Sequence, residues 1–349
     1  MYSVSFGKII NDFQAYLDNW LKKNDLTSAV VLIKNENAKA NQFASGTILK
    51  DGDGAVTSAQ LFGVGSITKT FVAATILKLQ ENKLLRLDDP IGLYLGDYPR
   101  WSKISLRQLL NMSSGIFNFT ESEEFKFLQK NFPQKPIPPK DLIKIAYQKN
   151  EYFEPGKGWH YSNTNYYLLG VIIEKITHKT LSKVFSELFF VPLGLKHSFY
   201  SDTFYSQAIL AQMAHAYVGA KDVTNFNASY YGAAGAMVMN SQDIMIWAHA
   251  LLTPGVILTQ ENIAELQDTM LIPYNPPKPK NARFGLGIYA LDIPGKGRIW
   301  YYAGVISGYS SVFVWEPSQK KMIIVQIASR PESKIDLLFP NQTLIRSLL

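Results

Sequence analysis

Cysteine is absent from all 349 residues, which excludes a disulfide framework, a thiolate nucleophile, an iron–sulfur cluster and a thiolate zinc site. Charge is also sparse. Asp, Glu, Lys and Arg make up 18% of the chain against 47% hydrophobic residues, so a disordered or fibrous chain is excluded and a large core is available. No apolar run reaches the roughly 18 residues that a membrane span needs. The most apolar stretch, Phe71 to Leu79, is short and carries Lys78. The five histidines lie far apart, neighbours being at least 18 positions from one another, so no local H-x-x-x-H pattern exists and neither a metal nor an organic cofactor is expected. Basic clusters are missing too. The excess of 35 Lys and Arg over 28 Asp and Glu is scattered, as at Lys22-Lys23, Lys278, Lys280 and Lys320-Lys321, without a basic helix, so nucleic acid is not an expected partner. The first residues, Met1 to Lys8, lack the charged-then-apolar order of a secretory signal.

What is present sorts into three stretches. Ile9, Ile10, Phe13, Tyr16, Leu17 and Trp20 recur at helical spacing, and Ala29–Ile33 and Gln42–Leu49 read as strands. The last third returns to strand character at 284–289, 298–302, 310–315 and 321–327, and 337–349 reads as a closing helix. Between these flanks the chain reads as helices and long loops, with 67–81, 106–112, 166–177 and 181–190 as examples. The expected architecture is α+β: one antiparallel sheet built from both chain ends, flanking helices, and an inserted mainly helical domain. The expected division is 1–66 with 280–349 against 67–279, the Pro-rich 272–280 stretch being the return linker and the site lying in the cleft.

Phe62-Gly-Val-Gly-Ser-Ile-Thr-Lys-Thr-Phe71 is the most informative segment. A glycine-flexible approach leads to Ser66, an apolar helix follows, and Lys69 sits one turn on, on the face of Ser66. Burial disfavours an ammonium, and a neutral amine beside a hydroxyl takes its proton and makes it a nucleophile. The helix start adds a backbone N–H where an oxyanion can form. Ser-x-x-Lys alone is weak: about one chance match is expected in a chain this long, and Ser318-Gln-Lys-Lys321, in a turn that reads as solvated, is a second one. A helix-capping Ser66 is the plain alternative. A phosphate loop is another, since Gly63, Lys69 and Thr70 fit G-x-x-x-x-G-K-[ST], but Thr68 stands where its second glycine belongs. In a second segment, Tyr161 and Asn163 lie two apart on a loop after Pro155-Gly156, able to face one cleft as proton relay and substrate holder.

Ser66-x-x-Lys69 followed by Tyr161-x-Asn163 resembles the active-site pair of class C serine β-lactamases and the related DD-peptidases and esterases. Leu109–Gly115, the run from Phe153-Glu-Pro-Gly156 through Leu168–Glu174 to Pro192-Leu-Gly194, and Ala233–Ala236 with Ser241-Gln-Asp243 and Trp247 are similar as well. The resemblance implies the β-lactamase/transpeptidase-like fold and places the third motif, a Lys/His-Thr/Ser-Gly on an edge strand, at Tyr302-Ala303-Gly304. It implies Ser66 as nucleophile, Lys69 as base, Tyr161 as proton relay, Asn163 as the residue that orients substrate and Lys69, and the N–H groups of Ser66 and Val305 as oxyanion donors. Phe117, Asn118 and Phe119 are implied as pocket walls, and His160 is expected to pack on Trp159. Tyr302 departs from the pattern: a phenol offers no positive charge to a substrate carboxylate. That tilts the expectation towards neutral acyl esters or amides, with D-alanyl-D-alanine carboxypeptidase, β-lactamase and a non-catalytic binding protein as alternatives. Expected partners are thus small acyl ester, peptide or β-lactam substrates. The resemblance implies a periplasmic or secreted location with any signal outside this sequence, and leaves a cytoplasmic one and the oligomeric state open.

Overall fold

Val30, Val31 and Ile33 near one end, and Ile323, Ile324, Val325 and Ile327 near the other, are β-branched residues that favour extended backbone. In a computed structural model describing residues 6–35, 38–273, 281–329 and 343–349, these two runs pair side by side. The strands are β1 (Ser28–Asn35), β2 (Asn41–Gly46), β3 (Phe62–Gly63), β4 (Ser198–Tyr200), β5 (Tyr217–Val218), β6 (Lys221–Asp222), β7 (Met237–Met239), β8 (Met270–Leu271), β9 (Ala282–Phe284), β10 (Tyr289–Ile293), β11 (Gly297–Ile306), β12 (Tyr309–Glu316) and β13 (Lys321–Ala328). Eight of them form one antiparallel sheet in the order β2-β1-β13-β12-β11-β10-β9-β8, so the sheet is built from both chain ends. Every residue of β13 is buried, as in a sheet covered on both faces.

The register assigns the faces. Phe43 pairs with Val31 and Val31 with Val325, and on their side helix α1 (Phe6–Lys23) lies with Phe13 edge-on to Phe43. Gln326, one position on, turns to the other face, where its amide donates to the Met239 carbonyl and to Ser311 Oγ. On that face the helices are α2 (Thr68–Glu81), α3 (Leu106–Leu110), α4 (Glu123–Asn131), α5 (Pro139–Tyr147) and α6 (Asn163–Thr177), with Ser241–Leu252 packing directly on β1, β12 and β13. Residues 68–77 and Leu79 of α2 are buried all round, which marks it as the central helix. Trp247 stacks on its Phe71 with ring centres 3.6 Å apart.

Several elements differ in detail from the expectation. The 284–289 run is strand only at its ends, Phe284 in β9 and Tyr289 in β10, with a turn over 285–288 closed by Gly285 N–H donating to the Ile288 carbonyl. The middle of the chain also contributes strands: β3, β7 and β4 form a small sheet, and β8 joins the large one. Together with helix Ser241–Leu252, the sheet layer thus draws on more of the chain than 1–66 and 280–349, because that helix buries its apolar side on the sheet. The closing helix runs Thr343–Leu348; residues 337–342 of the expected helix, and 274–280 of the expected linker, lie outside the described residues. No helix among the described residues is long and apolar enough to cross a membrane.

Candidate active site

Ser66 sits in the 3-10 turn Gly65–Ile67 that runs into α2. Gly65 has φ +50°, and a Cβ there would stand 2.6 Å from the Val305 nitrogen. On the facing strand a Cβ at Gly304 would stand 1.9 Å from the Val64 carbonyl oxygen and 2.6 Å from the Ser66 nitrogen. Two glycines therefore let β11 and the Ser66 turn touch backbone to backbone. Ser311 Oγ, donating to the Gly63 carbonyl at 3.2 Å, ties the turn to the sheet.

The Ser66 side chain does not cap the helix; Ile67 holds the cap position, without a side-chain bond. Instead Ser66 Oγ accepts from Lys69 Nζ at 2.9 Å and from the Tyr161 hydroxyl at 2.7 Å. Lys69 is fully buried and its Nζ donates also to the Ala234 carbonyl at 2.6 Å, with the Tyr161 ring centre 4.9 Å away. Burial pushes its pKa well below the ordinary lysine value, favouring the neutral amine. Burial likewise pushes Tyr161 up to about 12, against the opposing pull of the Ser66 and Tyr302 hydroxyls beside it, so its phenol stays protonated. The role of Ala234 was hidden in the sequence, since a backbone carbonyl leaves no residue signature.

The other expected residues divide. Asn163 opens α6 on the cavity that holds Ser66, but its amide donates to Thr120 Oγ1 at 3.2 Å and Asn118 Oδ1 at 3.4 Å rather than meeting Lys69. Asn118 is thus a brace for Asn163, accepting its backbone N–H as well. Phe119 lines the cavity, whereas Phe117 stacks on Tyr152. His160 stacks on Tyr152 at 3.7 Å, not on Trp159. Tyr302 is fully buried on β11 opposite Phe313 and does not line the cavity. Its ring packs against Tyr289 and Phe284, and its hydroxyl lies beside that of Tyr161, without an aligned hydrogen bond to any described residue.

Val305 is placed by register. The two-residue turn Ser307-Gly308, both with positive φ, makes Ile306–Tyr309 the hydrogen-bonded pair next to it. Val305–Ser310 is then the non-bonded pair, so the Val305 N–H points away from β12. On that side β10 stops at Tyr301, leaving the N–H to face the Ser66 turn. The cavity above measures about 760 Å³, walled by Phe119, Phe125, Phe226 and Tyr231 and floored by Ser66 and Val305–Gly308.

The family model for beta-lactamases matches residues 15–338, nearly the whole chain. The chain belongs to the beta-lactamase family. It has the mixed antiparallel fold of that family's members. A D-stereospecific amidohydrolase from Streptomyces sp. superposes with a TM-score of 0.81 at 27% identity, covering 94% of this chain and 97% of the other. The D-amino acid amidase of Ochrobactrum anthropi SV3 gives 0.80 at 25%, covering 91% and 90%. Two proteins of Bacillus subtilis (strain 168), named Penicillin-binding protein 4* and Putative penicillin-binding protein PbpX, are each 25% identical, over 76% and 88% of this chain. The chain spans 60% of the length of the first and 72% of the second.

Proposed function

We propose that this chain hydrolyses neutral acyl esters and amides through an acyl-enzyme on Ser66. With Lys69 neutral, the Ser66 hydroxyl turns its proton to the amine lone pair, and the oxygen attacks the substrate carbonyl. The N–H groups of Ser66 and Val305 hold the oxyanion, an effect worth about 3 kcal/mol per donor. Tyr161, protonated and 2.7 Å from Ser66 Oγ, gives its proton to the departing alcohol or amine and regains one from the water that cleaves the acyl-enzyme. Asn163, braced by Asn118 and Thr120, presents its amide oxygen side to the bound acyl group.

The observation that carries this reading is Ser66 Oγ held between a buried amine and a protonated phenol, at the floor of an open cavity. A group without charge next to the scissile bond is supported by the neutral lining around Ser66, with Thr120, Asn163 and Val305, and amides by the names of the two amidohydrolases above. The names of the penicillin-binding relatives favour a second reading, acylation by β-lactams, which lacks a cation at position 302. A p-nitrophenyl ester, D-phenylalanine amide and a chromogenic cephalosporin separate them, each with wild type and Ser66→Ala. Ester or amide turnover lost in the variant is expected. Turnover of the cephalosporin alone sinks the neutral-substrate reading, and full activity in Ser66→Ala sinks the nucleophile.

A further inference from the structure

This inference rests on the hydrolase reading and concerns the substrate beyond its scissile bond. From Ser66 the cavity floor follows Val305 and Ile306 to the Ser307-Gly308 turn, a path of about 10 Å at roughly 3.3 Å per strand residue. There it meets the β5–β6 hairpin: a Cβ on Gly308 would stand 3.2 Å from Ala216 Cβ and from Val223 Cγ2, so the two hairpins are in contact. Lys221 and Asp222 of that hairpin are the charged side chains lining the cavity. Asp222 is already engaged, by His215 Nδ1 at 2.6 Å and by the Thr224 backbone N–H at 2.8 Å. Lys221 is exposed, and among the described residues it has neither ion pair nor hydrogen bond. The polar remainder of the lining, such as Thr120, Gln129, Asn163 and Asn225, is neutral. The Asp222 carboxylate thus has partners of its own, and the Lys221 ammonium is the charged group of this lining left free to meet a ligand.

We propose that Lys221 selects substrates bearing a carboxylate remote from the scissile carbonyl, at the end of the cavity where the Ser307-Gly308 turn meets the β5–β6 hairpin. This narrows the neutrality proposed above to the group next to the scissile bond, and places the substrate's charge at the far end of the cavity.

Two matched pairs of ester substrates test this. One carries a terminal carboxylate on the acyl part and the other on the leaving alcohol, each measured against its carboxamide. In wild type at low salt, at least one pair should favour the carboxylate in kcat/KM by about fivefold, the modest scale of an exposed charge pair. Half-molar NaCl should shrink that ratio, Lys221→Arg should keep it, and Lys221→Glu should bring it below one. Equal use of carboxylate and carboxamide in both pairs, or the same ratio in Lys221→Glu, overturns the proposal. If wild type cleaves none of the four esters, the hydrolase reading fails for these compounds. The charge inference is then decided by calorimetric titration of the same four into Ser66→Ala, where equal affinities overturn it and a preference for carboxylate, lost in Ser66→Ala/Lys221→Glu, upholds it.

Discussion

Lys69 and Lys321 each close a Ser-x-x-Lys, both are buried, and both have their pKa lowered by that burial, yet they sit in opposite chemistry. Lys69 has no carboxylate partner among the described residues; it meets a hydroxyl, a carbonyl and an aromatic face. Lys321, at the start of β13, lies 3.5 Å from the fully buried Glu316 and donates to the Leu348 carbonyl at 3.0 Å. Its serine, Ser318, reaches Glu316 rather than the amine. A counter-ion holds a buried lysine in its charged form, whereas desolvation without one releases the neutral base. Spacing is therefore the lesser part of this motif. The absence of a nearby carboxylate separates an amine that takes a proton from one that anchors a chain end.

Swapping the serines should give the largest contrast. Ser66→Ala should lower ester turnover by at least about 10³-fold, since the whole nucleophilic route goes with it, while Ser318→Ala stays within about twofold of wild type. Equal loss in both would dissolve the distinction. The lysines should then give a crossed result. Lys69→Met should cost about 10²–10⁴-fold in kcat, the range of a lost general base. Lys321→Met should leave kcat near wild type and lower unfolding free energy by about 3 kcal/mol, because Glu316 is left buried without its partner. Denaturant titration measures that loss, and Lys321→Met/Glu316→Gln should recover part of it. An active Lys69→Met would refute the base.

The pH profile sharpens the same point. Acylation needs the unprotonated amine, so kcat/KM should rise with pH through the lowered Lys69 pKa, well below 10.5, and fall away on the acid side. The alkaline limb waits for Tyr161 near 12, so a broad plateau should separate the two. An acid limb at the ordinary lysine value would mean that Lys69 is not desolvated during turnover.

Much of this was legible beforehand. Val30–Ile33 and Ile323–Ile327 carried the strand signal because burial on both faces demands β-branched residues there. Ser66, Lys69 and Tyr161 could be read from spacing, and they do converge. Asn163 could be placed at the cavity, but not its partners, because Asn118 and Thr120 come from a loop more than forty positions upstream. The solvated reading of Lys321 failed for a similar reason: the turn before it is polar, and what buries the amine is the distant chain end at Leu348 and Leu349. Phe284–Tyr289 read as strand from composition, while the bond from Gly285 to Ile288 makes its middle a turn.

The smallest effect concerns two neighbouring phenols. Tyr301 and Tyr302 are both fully buried, and neither hydroxyl has an aligned partner among the described residues. Alternation on β11 sends them to opposite faces, and Tyr302 alone lies beside Tyr161, where a hydroxyl dipole favours the ionised relay. Deleting an unpaired buried hydroxyl removes a desolvation cost of about 1 kcal/mol, so Tyr301→Phe should hold or slightly raise stability and leave turnover within about twofold. Tyr302→Phe keeps the ring and its packing on Tyr289, yet should lower kcat about fivefold with KM little changed, because the relay loses the polar neighbour that eases its ionisation. If the two variants behave alike in steady-state kinetics, Tyr302 is a core aromatic and the relay ends at Tyr161.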